Sequence, residues 1–328
     1  MRKNHTCETM RLQSAIIAFF VCIFLPLGLH ADIINENATN TSKAEDEAVY
    51  AFTPLYPNGF IALDNGYRWD KISNRVTLGG STISVKGSTQ LFRNINSYQL
   101  GGKGQWNFCN GVFVRGDGHY GWVFDGDYSE GGLFGDAKGH TYDVEGALGY
   151  YFSLATGIAF APVVGWSYDA FNLNGSKITT AINGCVYSLS NIKAHQRFSG
   201  PFVGFDLVFQ PNGCCEYTFG YEFHYTWWHG QRFIQGPEYG NPPFGWTTGY
   251  SNKRHLNRVF GQVFKFDAAF TILGCWTAGF EVKYQIFNGD QGKYKQTKRP
   301  LIPQFTYSPV NGLWWRSFAT TLFIGRVF

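Results

Sequence analysis

The sequence predicts an all-β chain, a transmembrane antiparallel up-and-down β-barrel of about ten strands. Three observations carry that prediction: a last strand that ends on an aromatic residue, period-2 alternation repeated along the chain, and short connections alternating with long ones. In the last strand Phe318, Thr320, Leu322, Ile324, Arg326 and Phe328 share one face. Ser317, Ala319, Thr321 and Gly325 share the other, which is small and mostly polar. A strand with lipid on one side and a lumen on the other has that division. Arg326 lies near the chain end, where its head can reach the headgroups while its stem stays in apolar surroundings.

The N-terminus reads as a signal peptide over residues 1–31. Arg2, Lys3 and Arg11 precede an apolar run from Ala15 to Leu29, with Leu29-His30-Ala31 as the expected cleavage site. The run holds 15 residues and contains Pro26, which is short for a spanning helix. Its removal takes away Arg2, Lys3, Arg11 and Glu8, so the formal charge falls from +4 to +2. A near-neutral chain argues against a nucleic-acid partner. Residues 32–66 form a polar N-terminal segment, expected in the periplasm, with Asp32, Glu36, Glu45, Asp46 and Glu47 among Asn, Thr and Ser. Residues 67–328 form the barrel. Aromatic residues make up 18% and charged residues 15%, with 40 glycines. A barrel uses aromatics on its lipid face and glycine in its crowded lumen and turns.

Ten strands follow from the alternation, at 67–78, 97–108, 112–125, 140–152, 157–171, 197–209, 215–229, 258–271, 276–288 and 313–328. The clearest is Glu216–Trp228. Tyr217, Phe219, Tyr221, Phe223, Tyr225 and Trp227 point one way, against Glu216, Thr218, Gly220, Glu222, His224 and Thr226. Trp276 to Ile286 and Ile158 to Tyr168 divide in the same manner. Short turns are expected near Cys109–Gly111, Ser153–Thr156, Gln210–Cys214 and Ile272–Gly274. Long loops are expected at 79–96, 126–139, 172–196, 230–257 and 289–312, and a further strand at 82–91 is assigned to the first loop. Ten is even, so both termini fall on the short-turn side. Pro162 lies at an outward position and is expected to need a bulge.

The inward positions collect ionisable groups: Lys103, Arg115, Asp117, His119, Asp143, Glu145, Asp169, Asp206, Glu216, Glu222, His224, Lys265, Asp267, Glu281 and Lys283. An Arg or Lys facing lipid at the midplane costs about 2–4 kcal/mol. These groups therefore line water or pair across the barrel, and a narrow interior can equally be filled by them. His119 and His224 lie near Asp117 and Glu222 and are read as satisfied lumen residues, with no metal and no cofactor expected. Gly101-Gly102-Lys103-Gly104 lacks the spacing and following helix of a phosphate loop and is read as crowded strand. The loops are basic at Arg232, Lys253, Arg254, Lys293, Lys295, Lys298 and Arg299. Tyr239, Phe244, Trp246 and Tyr250 make the fourth aromatic.

The signal peptide, Gly66-Tyr67-Arg68-Trp69-Asp70-Lys71, the cysteine-bearing turns and terminal Phe328 together resemble the porin-like outer-membrane proteins of environmental chlamydiae, Protochlamydia among them. That resemblance implies an outer-membrane barrel giving passive diffusion of small hydrophilic solutes and ions. It also implies outer-membrane lipid as surroundings and Phe328 as a signal to the barrel-assembly machinery. The ten-strand layout is similar to the omptins, whose proteolysis needs two Asp above the third strand and an Asp-x-His above the seventh. Asp125 and Asp127 match the first pair. At the second place the chain reads Trp228-His229-Gly230, and Glu222-Phe223-His224 carries acid and base lower in the wall. No catalytic residue is therefore expected, with Asp125, Asp127, Glu222 and His224 held as the alternative. A plugged structural or adhesive barrel is the remaining reading. Cys109, Cys214, Cys215 and Cys275 fall at short turns and Cys185 in a long loop. In an oxidising compartment all five are disulfide candidates, within the rim or to neighbouring envelope proteins.

Overall fold

A computed structural model describes residues 52–328 apart from 53, 79–84, 109, 131–132, 183–184, 190, 236–249, 290–291 and 298–308. The expected signal peptide and the acidic leader through residue 50 lie outside the described residues, as do the aromatic loop positions 239–246 and basic positions 298 and 299. The elements are β1 (Gly59–Leu78), β2 (Val85–Asn107), β3 (Val112–Glu130), β4 (Leu133–Tyr150), β5 (Phe152–Ala155), β6 (Ile158–Ile182), β7 (Cys185–Leu189), β8 (Asn191–Asn212), β9 (Cys215–Gln235), β10 (Tyr250–Leu273), β11 (Trp276–Gly289), β12 (Gly292–Thr297) and β13 (Pro309–Val327). The ten long strands pair antiparallel with their sequence neighbours, and β1 pairs with β13 to close the ring. The short strands β5, β7 and β12 lie off this ring path, extending the hairpins.

The ten expected strands are all present, and most are longer than their periodicity indicated. β1 begins at Gly59, so the barrel starts before residue 67. β2 begins at Val85 and pairs with β1 from there, so most of the expected first loop is wall. Residues 126–130 and 133–139 likewise extend β3 and β4 as a paired hairpin. Register shifts explain the difference: they fall between Arg93 and Asn96, between Val123 and Asp127, and between Leu256 and Val259. A bulge shifts the inward set by one residue and hides the alternation beyond it. Asn94, at φ 51°, marks one of them.

Pro162 needs no bulge against β8, whose register runs through Pro162↔Phe205 without a break. On its other side, pairing with β4 ends at Val163↔Gly149 and pairing with β5 resumes at Phe160↔Phe152. The missing N–H therefore falls at a gap in the ladder.

The outside is apolar: Leu63 is 72% exposed, Leu322 65% and Val164 52%, while Asp70 and Glu222 inside are fully buried. That inversion fits a lipid-facing wall. β10 has 24 residues. At about 3.3 Å per residue and roughly 45° tilt it stands about 55 Å tall, against an apolar band of about 25 Å. Above the band the outer face turns polar, with Arg93, Asp125, Lys138, Lys193 and Arg197 exposed.

Glycine makes room for rings inside. A Cβ at Gly261 would lie 2.2 Å from the ring of Phe287 on β11, and one at Gly165 would lie 2.4 Å from Phe202 on β8. Each ring rests on bare backbone of the neighbouring strand, which lets large side chains fill a narrow bore.

Candidate functional site

The interior is built in three layers. At the short-turn end, Tyr56, Ala62, Ala269 and Phe323 form an apolar floor with Leu55, Phe60 and Val327 packed against them. The segment before β1 enters this mouth. The Leu55 amide donates to Glu216 Oε2 at 3.1 Å, Tyr56 shares a 2.7 Å hydrogen bond with Thr277 Oγ1, and Asn107 Nδ2 donates to the Tyr56 carbonyl. Burial pushes the Tyr56 hydroxyl well above its usual range. Above it lies a cavity of about 90 Å³, lined by Tyr56, Lys103, Arg115, Asp206, Lys265 and Glu281 among others.

The middle layer is ionic. Lys103 on β2 reaches Asp267 on β10, and Glu281 on β11 at 3.0 Å. Arg115 on β3 joins Asp206 on β8, and Glu222 on β9 at 2.9 Å. Lys265 on β10 pairs with Glu145 on β4, and with Glu222 at 2.8 Å, while Lys283 on β11 stands 3.2 Å from Glu145. Arg68 on β1 pairs with Asp70 at 2.9 Å and Asp143 at 2.8 Å. Each cation serves at least one carboxylate: Arg68–Asp70 lies within β1 and Lys265–Glu222 joins neighbouring strands, while the other pairs reach across the bore. Such pairing keeps a desolvated charge tolerable.

The third layer is aromatic. Phe171 on β6 and Trp315 on β13, five places apart in the ring of ten, have ring centroids 5.3 Å apart. Phe198 and Phe287 complete the cluster, at 4.6 Å and 4.7 Å from Trp315. The Trp315 indole donates to Asp70 Oδ1 at 3.0 Å, and the Arg68 guanidinium lies over both the Phe171 and Trp315 rings. This roof therefore rests directly on the ionic layer. Trp228, Ile72, Ile95 and Leu173, all fully buried, extend it around the wall.

All fifteen ionisable residues expected in the lumen lie on inward positions, and most join these networks. The alternative catalytic set is not brought together. Asp125 and Asp127 are exposed on the outer face, where Asn96 donates to the first at 3.2 Å and Asn94 to the second at 2.8 Å. Glu222 and His224 are buried inside: His224 Nε2 lies 3.0 Å from Glu222 Oε2, and its Nδ1 lies 3.0 Å from Ser167 Oγ. Phe202 stacks on the imidazole at 4.7 Å. That Ser–His–Glu chain has the connectivity of an activated nucleophile, but all three side chains are buried beneath the roof. The sequence reading missed Asp64, Arg68 and Asp70 of β1. Asp64 precedes residue 67, where the sequence reading begins the barrel, and Arg68 and Asp70 lie opposite the outward Tyr67 and Trp69 but are absent from the expected inward set.

Cys214 and Cys275 are exposed, Cys215 is partly so, and all three thiols are free. The side chains of Cys109 and Cys185 lie outside the described residues. Phe328 is half exposed at the β1–β13 seam, where its amide donates to the Gly59 carbonyl at 3.1 Å.

No curated protein matches the sequence. Among solved structures, the outer membrane protease OmpT of Escherichia coli aligns with TM-score 0.65 and 12% identity, over 85% of this chain and 98% of that one. OprG of Pseudomonas aeruginosa aligns with TM-score 0.37 and 11% identity over 83% and 99%. The first likeness is one of fold, an outer-membrane barrel closed by ten strands. A family model described as Protochlamydia outer membrane protein matches residues 62–328. With that match over most of its length, the chain belongs to the Protochlamydia outer membrane protein family and is a multi-pass β-barrel of the bacterial outer membrane.

Proposed function

We propose that this protein is a plugged barrel, a rigid membrane anchor that raises its outer wall and loops above the cell surface. The observation that carries this reading is contact across the bore at two levels. Phe171 meets Trp315 in the roof, and Lys283 meets Glu145 in the ionic layer below. Both pairs join strands on opposite sides of the ring. A pore for hydrophilic solutes needs a continuous polar path, and the apolar roof interrupts it. The same interior weighs against passive diffusion, and the separation of Asp125 and Asp127 from His224 weighs against an omptin-like endopeptidase. The tall wall favours presentation: roughly half its height exceeds the apolar band.

Planar-bilayer recording tests the reading. Refolded protein should insert without discrete conductance steps, whereas reproducible steps from the wild-type chain would restore the diffusion pore. Deleting residues 236–249, between β9 and β10, should lower attachment of expressing cells to host-cell surfaces while leaving the barrel folded.

A further inference from the structure

The register of the barrel sets four residues in one row: Asp64 on β1 pairs with Gly101 on β2, Gly101 with His119 on β3, and His119 with Asp143 on β4. Asp117 lies two residues from His119 and shares its inward face. His119 Nδ1 is 2.7 Å from Asp143 Oδ2 and 3.9 Å from Asp117 Oδ2. One donor atom from each of these three residues falls within 4.8 Å of the other two. We propose that Asp117, His119 and Asp143 bind one divalent transition-metal ion, of the zinc class, inside the barrel wall.

Four features of the surroundings fit a metal. The first is Asp64, whose side chain is fully buried and whose two oxygens accept no hydrogen bond of ordinary geometry among the described residues. It faces His119 Nε2 at 3.1 Å, on the side of the ring away from Asp143. A histidine that gives Nδ1 to a metal keeps its proton on Nε2, and a carboxylate there fixes the tautomer and strengthens the ligand. The second is Gly101. A Cβ at that position would lie 2.4 Å from His119 Cδ2 and 2.7 Å from Asp64 Oδ1, so only glycine lets the ring reach Asp64. The third is the occupancy of Asp143. Its Oδ1 accepts from Arg68 at 2.8 Å and Gln99 at 3.0 Å, and its Oδ2 shares a 2.7 Å hydrogen bond with His119 Nδ1, so a metal would take the place of the proton held between those two atoms. The fourth is Asp117, for which no hydrogen bond to a cation is found among the described residues. Its charge close to Asp143 favours a shared cation.

The donor set selects the metal class. One imidazole nitrogen and two carboxylate oxygens suit zinc and its first-row neighbours, and water completes a four-coordinate shell. Calcium and magnesium take oxygen ligands and do not call for the histidine. The ion joins β3 to β4 and, through Asp64, to β1, and it clamps the wall beneath the roof.

Zinc binding to the refolded protein tests this, with every cysteine alkylated first so that the exposed thiols cannot compete. Isothermal titration and metal analysis should give one zinc per barrel. X-ray absorption at the zinc edge should show nitrogen and oxygen ligands with imidazole scattering. Asp117→Asn and His119→Gln should each abolish stoichiometric binding. Asp64→Asn should weaken it about 10- to 100-fold. Heat-modified migration on gels confirms that each variant is folded. Failure of the alkylated wild type to retain zinc overturns the proposal, as does retention of one zinc by folded Asp117→Asn, or an absorption spectrum without imidazole.

Discussion

Lys283 on β11 and Glu145 on β4 stand five places apart in a ring of ten strands, yet their charged groups lie 3.2 Å apart. Side chains reaching from both walls thus meet across the bore. Lys265 approaches the other oxygen of the same carboxylate. Glu145→Gln leaves two buried ammonium groups without their shared partner. Breaking a buried pair in this way costs about 3–5 kcal/mol. Urea unfolding in liposomes should show that loss for Glu145→Gln. The double variant Lys283→Met, Glu145→Gln should recover part of it, because Lys265 keeps Glu222 at 2.8 Å. Additive losses in the double variant would mean that the two residues do not interact.

The roof makes a separate prediction. Trp315 packs on Phe171, Phe198 and Phe287 and donates to Asp70. Trp315→Ala should destabilise the barrel by about 3–5 kcal/mol, through the lost ring and the cavity left behind. Trp315→Phe keeps most of the ring but strands Asp70 without its indole donor, so its loss should be smaller and its fold intact. In bilayers, Phe171→Ala with Trp315→Ala should admit water to the ionic layer and give brief conductance events absent from the wild type. Silent bilayers from this folded double variant would place the block in the ionic layer.

Glycine positions separate crowding from mere flexibility. Gly261 lies under the Phe287 ring, where an added Cβ would meet it at 2.2 Å. Gly146 lies on the exposed outer face, and an added Cβ there meets nothing within 4 Å. Gly261→Ala should therefore cost about 1–3 kcal/mol by overpacking. Gly146→Ala should be neutral or slightly stabilising, since alanine has less chain entropy to lose. Equal effects at the two sites, read by urea unfolding, would remove the ring-on-glycine account of the interior.

The residues explain how far the sequence could be read. β9 was legible because Tyr217 through Trp227 keep a strict aromatic-outward alternation and no register shift breaks its pairing with β10 before Leu256. β1 was legible only in part: its alternation of outward Ile61, Leu63, Tyr67 and Trp69 against inward Asp64, Arg68 and Asp70 starts before residue 67, and outward Lys71 breaks it further on. The outer halves of the strands were hidden by bulges. Beyond Arg93 or Val123 the parity shifts and the outer face becomes polar, so wall looks like loop. The contacts across the bore were not legible. Periodicity shows that Glu145 and Lys283 point inward, but not that they reach each other. The role of Gly101 depends on the row Asp64–Gly101–His119–Asp143, which comes from pairing across four strands. No local spacing encodes it.

The last prediction concerns the short-turn rim. Cys214 and Cys275 are exposed, Cys215 is partly so, and none is in a disulfide. The Cys214 carbonyl accepts from the Thr271 amide at 2.9 Å, which ties the Cys214 turn to the end of β10 beside Cys275. In an outer-membrane barrel the short turns face the periplasm, where disulfides form and persist. We propose that these thiols form disulfides with neighbouring envelope proteins and so couple the rigid barrel to the layer beneath it. Non-reducing gels of native envelopes, alkylated at harvest, should show high-mass species containing this chain that collapse to monomer with reductant. Cys214→Ser, Cys215→Ser and Cys275→Ser combined should remove those species without changing heat-modified migration. A monomer band in both lanes from native envelopes would sink the idea. A ladder that survives the triple variant would assign the linkage to Cys109 or Cys185 instead of the exposed turns.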